Sequence, residues 1–164
     1  MELITAERIA QMVKAKLTPT CERIEIAGSI RRRCPQVHDI DLVCIPANQG
    51  QFYYALQQLG RITVAGPKLM RCQLPGILID VYIAAPTTWA TLLLIRTGSK
   101  AHNIRLCSRA RDRGMKLHAD GSGLFRLADC EDTEVRVAGD TEESIFAALG
   151  LPYYRPEERE WKRQ

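Results

Sequence analysis

Three aspartates stand in apolar surroundings at spacings that suit metal-assisted chemistry. Asp39 and Asp41 lie two apart in a stretch predicted to be a strand, residues 37–45, and Asp80 interrupts the apolar run 77–84. Because successive side chains of a strand point to opposite faces, Asp39 and Asp41 share one face, about 6–7 Å apart. An unpaired carboxylate at Asp80 would cost several kcal/mol to bury, so it requires compensation. Two Mg²⁺ ions held by these acids would compensate all three, activating an attacking hydroxyl and neutralising transferring phosphates.

Simpler interpretations of the same acids stay open at this point. Asp39 and Asp41 could lie on an exposed sheet edge or cap a turn. Asp80 could be an interior carboxylate paired with an arginine. The sequence around the acids has to separate these alternatives from a metal site.

A glycine-serine pair precedes the acids and has the character of a phosphate-binding turn. Gly28 and Ser29 follow the alternating stretch 22–27, which predicts a half-buried strand, and they precede the basic residues at positions 31–33. Backbone N–H groups in such a turn can surround a phosphate, and arginines add charge. A phosphate-binding turn, arginines and paired carboxylates in this order favour phosphoryl chemistry.

Positive charge is concentrated in one later segment. The chain has a net charge of +4, yet residues 96–116 hold seven basic residues and one acidic residue. Within the helix predicted there, His102, Arg105, Arg109 and Arg113 recur at helical spacing and form one predicted basic stripe. A stripe of this kind can follow a nucleic-acid backbone, although a solvated helix face would look similar.

Periodicity and turn residues predict the elements that position these groups, in two halves. Before residues 84–87 the patterns predict helices over 6–17 and 51–59, with Thr5 capping the first, and strands over 22–27, 37–45, 61–64, 69–73 and 77–84. After that boundary they predict helices over 88–95, from about 100 to 113 and over 141–149, with Thr141 capping the last, and strands over 115–118 and 124–127. The prediction is a sheet-based half of residues 1–85, a helical half of residues 86–164, and a polar tail from Pro152.

Composition excludes several classes of protein. The chain has 164 residues, of which 46% are hydrophobic and 26% charged, which excludes a large multidomain enzyme and general disorder. No apolar run reaches the roughly 18 residues of a membrane span, and the start lacks a signal-peptide pattern, so we expect a soluble intracellular protein. The six cysteines lack zinc-binding spacing, and we expect reduced thiols.

Taken together, these motifs resemble family X DNA polymerases, the group of polymerase beta. The signature runs from Gly28-Ser29-x-Arg31-Arg32 through Asp39-Ile40-Asp41 to Asp80. Thumb-like motifs follow in the family's order: Thr97-Gly98-Ser99 with Asn103, Arg113-Gly114, Gly123-Leu124-Phe125, residues 142–146 and residues 149–153. The first signature is shared with many nucleotidyltransferases, whereas the thumb motifs are specific to this group.

The resemblance implies a role for each matching position. Asp39 and Asp41 would bind two Mg²⁺ or Mn²⁺ ions, and Asp80 would bind the catalytic ion and accept the proton of the primer hydroxyl. The triphosphate would be held by Gly28, Ser29 and Arg32. In the second half, Gly98 and Ser99 would form the turn under the incoming sugar, and the peptide between them is expected to be cis. Asn103 would contact the incoming base. The DNA would be contacted by Lys100, His102, Arg105, Arg109 and Arg113.

Three departures separate this sequence from relatives. An aromatic pair often precedes the Thr-Gly-Ser motif, and here those positions are Ile95 and Arg96. Arginines commonly flank the third aspartate, but here Leu78 and Tyr82 are its neighbours on the same strand face. The position where relatives place an arginine against the template strand is Cys107.

The overall prediction is an α/β (α+β) fold, with a nucleotidyltransferase palm of mixed sheet over 1–85 and a small α+β thumb over 86–164. With 27 residues before Gly28, we expect no amino-terminal lyase region and a minimal palm-plus-thumb form. The predicted function is template-directed DNA polymerisation from nucleoside triphosphates, filling short gaps in repair. The alternatives are a template-independent nucleotidyltransferase acting on RNA ends or small molecules, and a non-catalytic DNA-end-binding module.

Overall fold

A computed structural model describes residues 1–127 and 133–160, with Leu127 described by its backbone alone. The chain divides into two compact units, Met1–Ala85 and Pro86–Gln164. The first unit contains helices α1 (Leu3–Leu17), α2 (Gly28–Arg31) and α3 (Gln49–Gln57), and strands β1 (Cys21–Ile26), β2 (Asp39–Pro46), β3 (Arg61–Ala65), β4 (Leu69–Leu74) and β5 (Ile77–Ile83). The second contains helices α4 (Trp89–Thr97), α5 (Lys100–Arg111) and α6 (Glu142–Ala148), and strands β6 (Met115–His118), β7 (Gly123–Leu127) and β8 (Glu134–Ala138).

The first unit is a five-stranded mixed sheet in the order β1-β2-β5-β4-β3. Strands β2 and β5 are parallel, and the other neighbouring pairs are antiparallel. Alternation along the two parallel strands separates an apolar face from a polar one, as the period of two requires. The residues that enter the hydrophobic core with α1 and α3 include Ile40, Leu42, Ile79 and Val81. The aspartates of β2 and β5 alternate with these residues and therefore lie on the opposite face.

The second unit packs three helices with a three-stranded antiparallel sheet in the order β6-β7-β8. Its core combines residues of all six elements, including Leu94, Leu106, Leu124 and Phe146. Helix α6 begins at a capping box, in which the Thr141 side chain accepts the Ser144 N–H and the Ser144 hydroxyl accepts the Thr141 N–H. The described elements confirm the predicted α+β fold with a mixed sheet.

Two predictions of local structure were wrong. Helix α1 begins at Leu3, one turn before the predicted start, and Glu2 rather than Thr5 is its N-cap residue. Strand β8 was not predicted, although Val135 and Val137 alternate with charged residues as strand residues do. The two valines face solvent on the last strand of the sheet, with exposed fractions of 52% and 40%.

Two further expectations concern the cysteines and membrane-spanning segments. No disulfide joins the five cysteines in the described ranges, and Cys130 lies outside them. Within residues 1–127 and 133–160, no helix is both long enough and apolar enough to cross a membrane.

The capping box of α6 gives a direct test of this part of the fold. Thr141→Ala removes the acceptor for the Ser144 N–H and should lower the free energy of unfolding by about 1 kcal/mol. Thr141→Ser keeps the hydroxyl and should restore most of that loss. Urea denaturation of the two variants measures the difference, and equal stability of both would show that the cap contributes nothing.

Candidate active site

The three predicted aspartates lie together on the polar face of the first sheet. Asp41 of β2 pairs in register with Asp80 of the parallel strand β5, and Asp39 lies two residues earlier on β2. Side chains at paired positions of neighbouring strands share a face. The sheet register thus brings all three carboxylates to one patch, as the strand patterns predicted.

Glycine at position 28 is required by the close approach of Asp41. Gly28 has a φ of +57°, and a Cβ atom built on it would lie 2.0 Å from Asp41 Oδ2. Only glycine adopts this φ readily and leaves this space for the carboxylate. The first residue of the predicted phosphate-binding turn therefore directly contacts the acidic patch.

The adjoining residue offers a hydroxyl with no partner in the described protein. The Ser29 Oγ atom is buried and makes no hydrogen bond to any described group. Buried polar groups normally have a partner, so an unsatisfied hydroxyl needs an explanation. A phosphate oxygen held by the turn would provide that partner.

Electrostatics at the acidic patch favour a bound cation. Burial, followed by the negative charges of Asp39 and Asp80, raises the pKa of Asp41 to about 7. The positive charge of Arg32 and a hydrogen bond from Tyr82 lower this pKa but do not offset the rise. A divalent cation would remove the repulsion among the acids and stabilise their ionised form.

Asp80 is held by an arginine from a neighbouring strand. Arg71 of β4, in register with Asp80, donates from Nε to Asp80 Oδ1 at 2.6 Å and from Nη2 to Asp80 Oδ2 at 2.7 Å. The Asp80 side chain is only 6% exposed, so this bidentate pair provides its compensation. The interpretation of Asp80 as a buried carboxylate paired with an arginine is confirmed.

The donor set fits Mg²⁺, although it is not a complete binding site by itself. In the described parts of the chain, no group of three histidine, cysteine or acidic side chains has an arrangement ready to hold a metal ion. Carboxylate oxygens are the ligands that Mg²⁺ prefers. An ionised carboxylate offers about four lone-pair sites, so the two hydrogen bonds from Arg71 leave Asp80 able to accept more. The ion would be held by Asp39, Asp41 and Asp80.

In the second unit, the predicted turn joins α4 to α5. The peptide between Gly98 and Ser99 is cis, which confirms the expectation, and Gly98 has a φ of 71°. Ser99 is the N-cap residue of α5, and its Oγ accepts the N–H of His102 at 3.3 Å. Asn103 Nδ2 donates to the carbonyl of Ile95 at 2.8 Å, while its Oδ1 atom is buried with no partner among the described groups.

His102 does not belong to the predicted basic stripe. It is 1% exposed and shares the buried face of α5 with Leu106 and Ala110, and its ring lies 5.7 Å from the Phe146 ring between centroids. Burial, with the nearby positive charge of Arg159, lowers the pKa of His102 to about 4. The ring is therefore neutral near pH 7 and is enclosed by protein, so the prediction that it contacts DNA was wrong.

The other predicted DNA contacts are accessible to different degrees. Lys100, Arg105 and Arg113 are exposed, whereas Arg109 is half-buried and donates from Nε to the carbonyl of Leu149 at 3.1 Å. Arg105 and Arg109 keep the helical spacing of the stripe, whereas α5 ends at Arg111, two residues before the predicted end, and Arg113 lies in the turn that follows. The predicted basic surface is thus smaller than the sequence indicated.

Comparison with known proteins finds similarity to polymerase beta, in sequence for the second unit and in fold for the whole chain. Residues 92–160 match the family described as DNA polymerase beta thumb. The fold of this chain is similar to that of Leishmania infantum polymerase beta in the crystal structure of its ternary P/T complex, with a TM-score of 0.78 and 21% sequence identity. The match covers 98% of this chain and 76% of the polymerase beta chain. The fold is therefore that of a polymerase beta-like palm and thumb.

Two curated proteins are similar to this chain in sequence, and both are named as DNA polymerases. DNA polymerase lambda of Rattus norvegicus is 31% identical over 100 residues, covering 55% of this chain and 17% of the relative. The DNA polymerase/3'-5' exonuclease PolX of Bacillus subtilis is 27% identical over 163 residues, covering 94% of this chain and 28% of the relative. In sequence the chain resembles family X, the group of polymerase beta, and it spans less than a third of the length of these two curated relatives.

Two features of the site were absent from the sequence prediction. The Arg71 contact depends on the register of β4 against β5, which no local pattern reveals. The available signal was the alternation of residues 69–74, in which Met70, Cys72 and Leu74 are buried and Arg71 faces the other side. The second feature is the buried Arg159 in the tail predicted to be polar.

Removal of one charge should reveal the repulsion in the acidic patch. Because the pKa of Asp41 is raised from its ordinary value of 3.8 to about 7, metal-free protein should lose stability as pH rises through that interval. Asp41→Asn should abolish that loss and raise the free energy of unfolding at pH 8 by about 2 kcal/mol in a chelator. Urea denaturation across pH 4–8 measures the effect.

Magnesium supplies the control for that experiment. Mg²⁺ should stabilise the unchanged protein by mass action and stabilise Asp41→Asn less. Glu22→Gln, at an exposed acid of the same sheet, should change neither the pH dependence nor the response to Mg²⁺. A pH profile of Asp41→Asn identical to that of the unchanged protein would contradict the proposed repulsion.

The contact between Arg71 and Asp80 has its own prediction. Arg71→Gln leaves the buried carboxylate without its bidentate partner and should lower the free energy of unfolding by about 1–3 kcal/mol. Saturating Mg²⁺ should recover part of the loss, because the cation offsets the same charge. Arg61→Gln, an exposed arginine of β3, is the matched control and should be neutral. Thermal unfolding of both variants decides whether Arg71 has this role.

Proposed function

We propose that this chain is a template-directed DNA polymerase that adds nucleotides to a DNA 3′ end and fills short gaps in repair. The observation that carries the proposal is the contact of the glycine-serine turn with the acidic patch, where Gly28 adjoins Asp41. Phosphate binding and metal binding would then occupy neighbouring positions on one sheet face. Similarity to family X polymerases supports the same reaction class.

In the proposed reaction, the primer 3′ oxygen attacks the α-phosphorus of a nucleoside triphosphate. A new oxygen-phosphorus bond forms as the bond from the α-phosphorus to the bridging oxygen breaks, and pyrophosphate leaves. Asp80 accepts the proton of the primer hydroxyl. Asp39 and Asp41 would hold both Mg²⁺ or Mn²⁺ ions with help from Asp80, and the ions would stabilise the charge that develops on the phosphates.

The remaining proposed contacts orient the substrates. Gly28, Ser29 and Arg32 hold the triphosphate, and the unsatisfied hydroxyl of Ser29 is suited to donate to a phosphate oxygen. Gly98 and Ser99 lie under the incoming sugar, and Asn103 contacts the base. Because phosphoryl transfer requires positioning and electrostatics more than covalent catalysis, such contacts would supply much of the rate enhancement.

DNA would bind to the thumb through its basic residues. Lys100, Arg105 and Arg113 are exposed, and Arg109 is partly accessible, so their charges can meet backbone phosphates. Contacts of this kind position a duplex without reading its sequence, as an enzyme directed by a template requires. The polymerase beta complex of similar fold supports DNA as the partner.

The proposal is tested by extension of a labelled primer on a duplex with a one-nucleotide gap. Each deoxynucleotide and ribonucleotide is offered singly, with Mg²⁺ or Mn²⁺. We expect incorporation of the nucleotide that complements the template. Extension of single strands or RNA ends without regard to template would instead establish the template-independent alternative, and DNA binding without extension would establish the non-catalytic one.

The catalytic role of the third aspartate gives the matching variant test. Asp80→Asn should reduce extension by at least about 100-fold, because it removes a metal ligand and the proton acceptor together. Glu22→Gln, at an exposed acid of the same sheet, should extend like the unchanged chain. Circular dichroism checks that both variants fold. An Asp80→Asn rate within a few-fold of the original would contradict the mechanism.

A further inference from the structure

A charged pair is buried in the second unit, and neither of its residues is among those assigned to the reaction. Arg159 is fully buried and donates from Nη2 to Glu142 Oε2 at 2.6 Å. Its Nε and Nη2 atoms also donate to the carbonyl of Tyr154, at 3.0 and 2.8 Å. The guanidinium lies 5.4 Å from the centre of the Phe146 ring. These contacts fix the chain at residue 159 against the start of α6.

The backbone of that residue contacts the turn between α4 and α5. The carbonyl oxygen of Arg159 accepts the Ser99 hydroxyl at 2.7 Å and the Ser99 N–H at 3.4 Å. The same hydroxyl oxygen accepts the N–H of His102, so the Ser99 side chain is held on both sides. A segment 60 residues later in the chain therefore determines the orientation of Ser99.

Burial of a charged pair is a costly way to stabilise a fold. Apolar residues of similar size often stabilise a core as well or better, because both charges lose their hydration. A charged pair does define one arrangement, since its hydrogen bonds have direction. Here the defined arrangement places a single carbonyl oxygen against Ser99.

We propose that Glu142 and Arg159 are positioning residues for the nucleotide-binding turn Gly98-Ser99. Neither side chain needs to touch the substrate, because the pair acts through the Arg159 carbonyl and the Ser99 hydroxyl. This inference rests on the proposed function, in which the turn lies under the incoming sugar. It extends the site to the segment predicted from sequence to be only a polar tail.

The variant test separates nucleotide binding from catalysis and from folding. Glu142→Gln removes the charge of the carboxylate while preserving its shape, and should raise the nucleotide KM tenfold or more with kcat changed less than threefold. Glu142→Asp keeps the charge and should recover much of the KM. Asp140→Asn breaks the exposed pair between Arg136 and Asp140, which has a similar distance of 2.7 Å, and should leave both constants unchanged.

The kinetic results distinguish failure of this inference from failure of the proposed function. An unchanged KM in a folded Glu142→Gln protein would overturn the inference while leaving the proposed function intact. Equal loss of kcat and nucleotide affinity in Glu142→Gln and Asp140→Asn would also overturn it, because the effect would then be general to the unit. Failure of the unchanged chain to extend any primer would contradict the proposed function itself.

A second measurement uses the unaltered chain, in case Glu142→Gln does not fold. Amide hydrogen exchange is compared for the gapped-DNA complex with and without a non-hydrolysable nucleoside triphosphate. We expect exchange to slow at least fivefold at both Ser99 and Arg159, and to stay unchanged in β8. Slowing at Ser99 alone would overturn the inference, and slowing at neither residue would count against nucleotide binding at this turn.

Discussion

Repulsion among three carboxylates on one sheet face is the constraint on which the rest of the palm depends. The register of β2 against β5 places Asp41 beside Asp80, and burial adds to the effect of the neighbouring charges. The fold partly compensates this charge from two directions, through Arg71 on β4 and Arg32 after the glycine-serine turn. What remains is a strongly negative patch bordered by a turn with an unsatisfied hydroxyl, which suits a cation and a phosphate together.

In the thumb, the corresponding constraint is the turn Gly98-Ser99, which lacks regular secondary structure and has to be held by other contacts. Gly98 ends α4 and Ser99 caps α5, so this link consists of two residues. Its hydrogen bonds reach to the Arg159 carbonyl, which a buried ion pair holds in place. In each unit an ion pair holds a polar group of the proposed site, and the apolar core fixes the elements that carry the pair.

The sequence predicted the parts of this structure that depend on local pattern. The patterns of residues 37–45 and 77–84 were enough to place the aspartates on strands, with Asp39 and Asp41 on one face, and the resemblance to family X predicted the cis peptide before Ser99. His102 was misplaced because the stripe was chosen by charge. The buried set His102, Leu106 and Ala110 has the same helical spacing, and burial decided its orientation.

Contacts between residues that are far apart in the sequence could not be predicted from local patterns. Arg71 reaches Asp80 only through the register of β4 on β5, and Arg159 is buried only because α6 presents Glu142 to it. The alternation of residues 69–74 indicates which face of β4 carries Arg71, but no local pattern identifies the partner of Arg71 or of Arg159. The labels of the two units as palm and thumb likewise come from fold and sequence similarity rather than from composition.

The central claim is that Asp39, Asp41 and Asp80 share a cation. Its most direct test is anomalous X-ray diffraction from crystals grown with Mn²⁺, gapped DNA and a non-hydrolysable nucleotide. We expect Mn²⁺ density bonded to carboxylate oxygens of all three residues, with Arg71 still in contact with Asp80. Mn²⁺ density elsewhere, or an Asp80 carboxylate bound to Arg71 alone, would contradict the account.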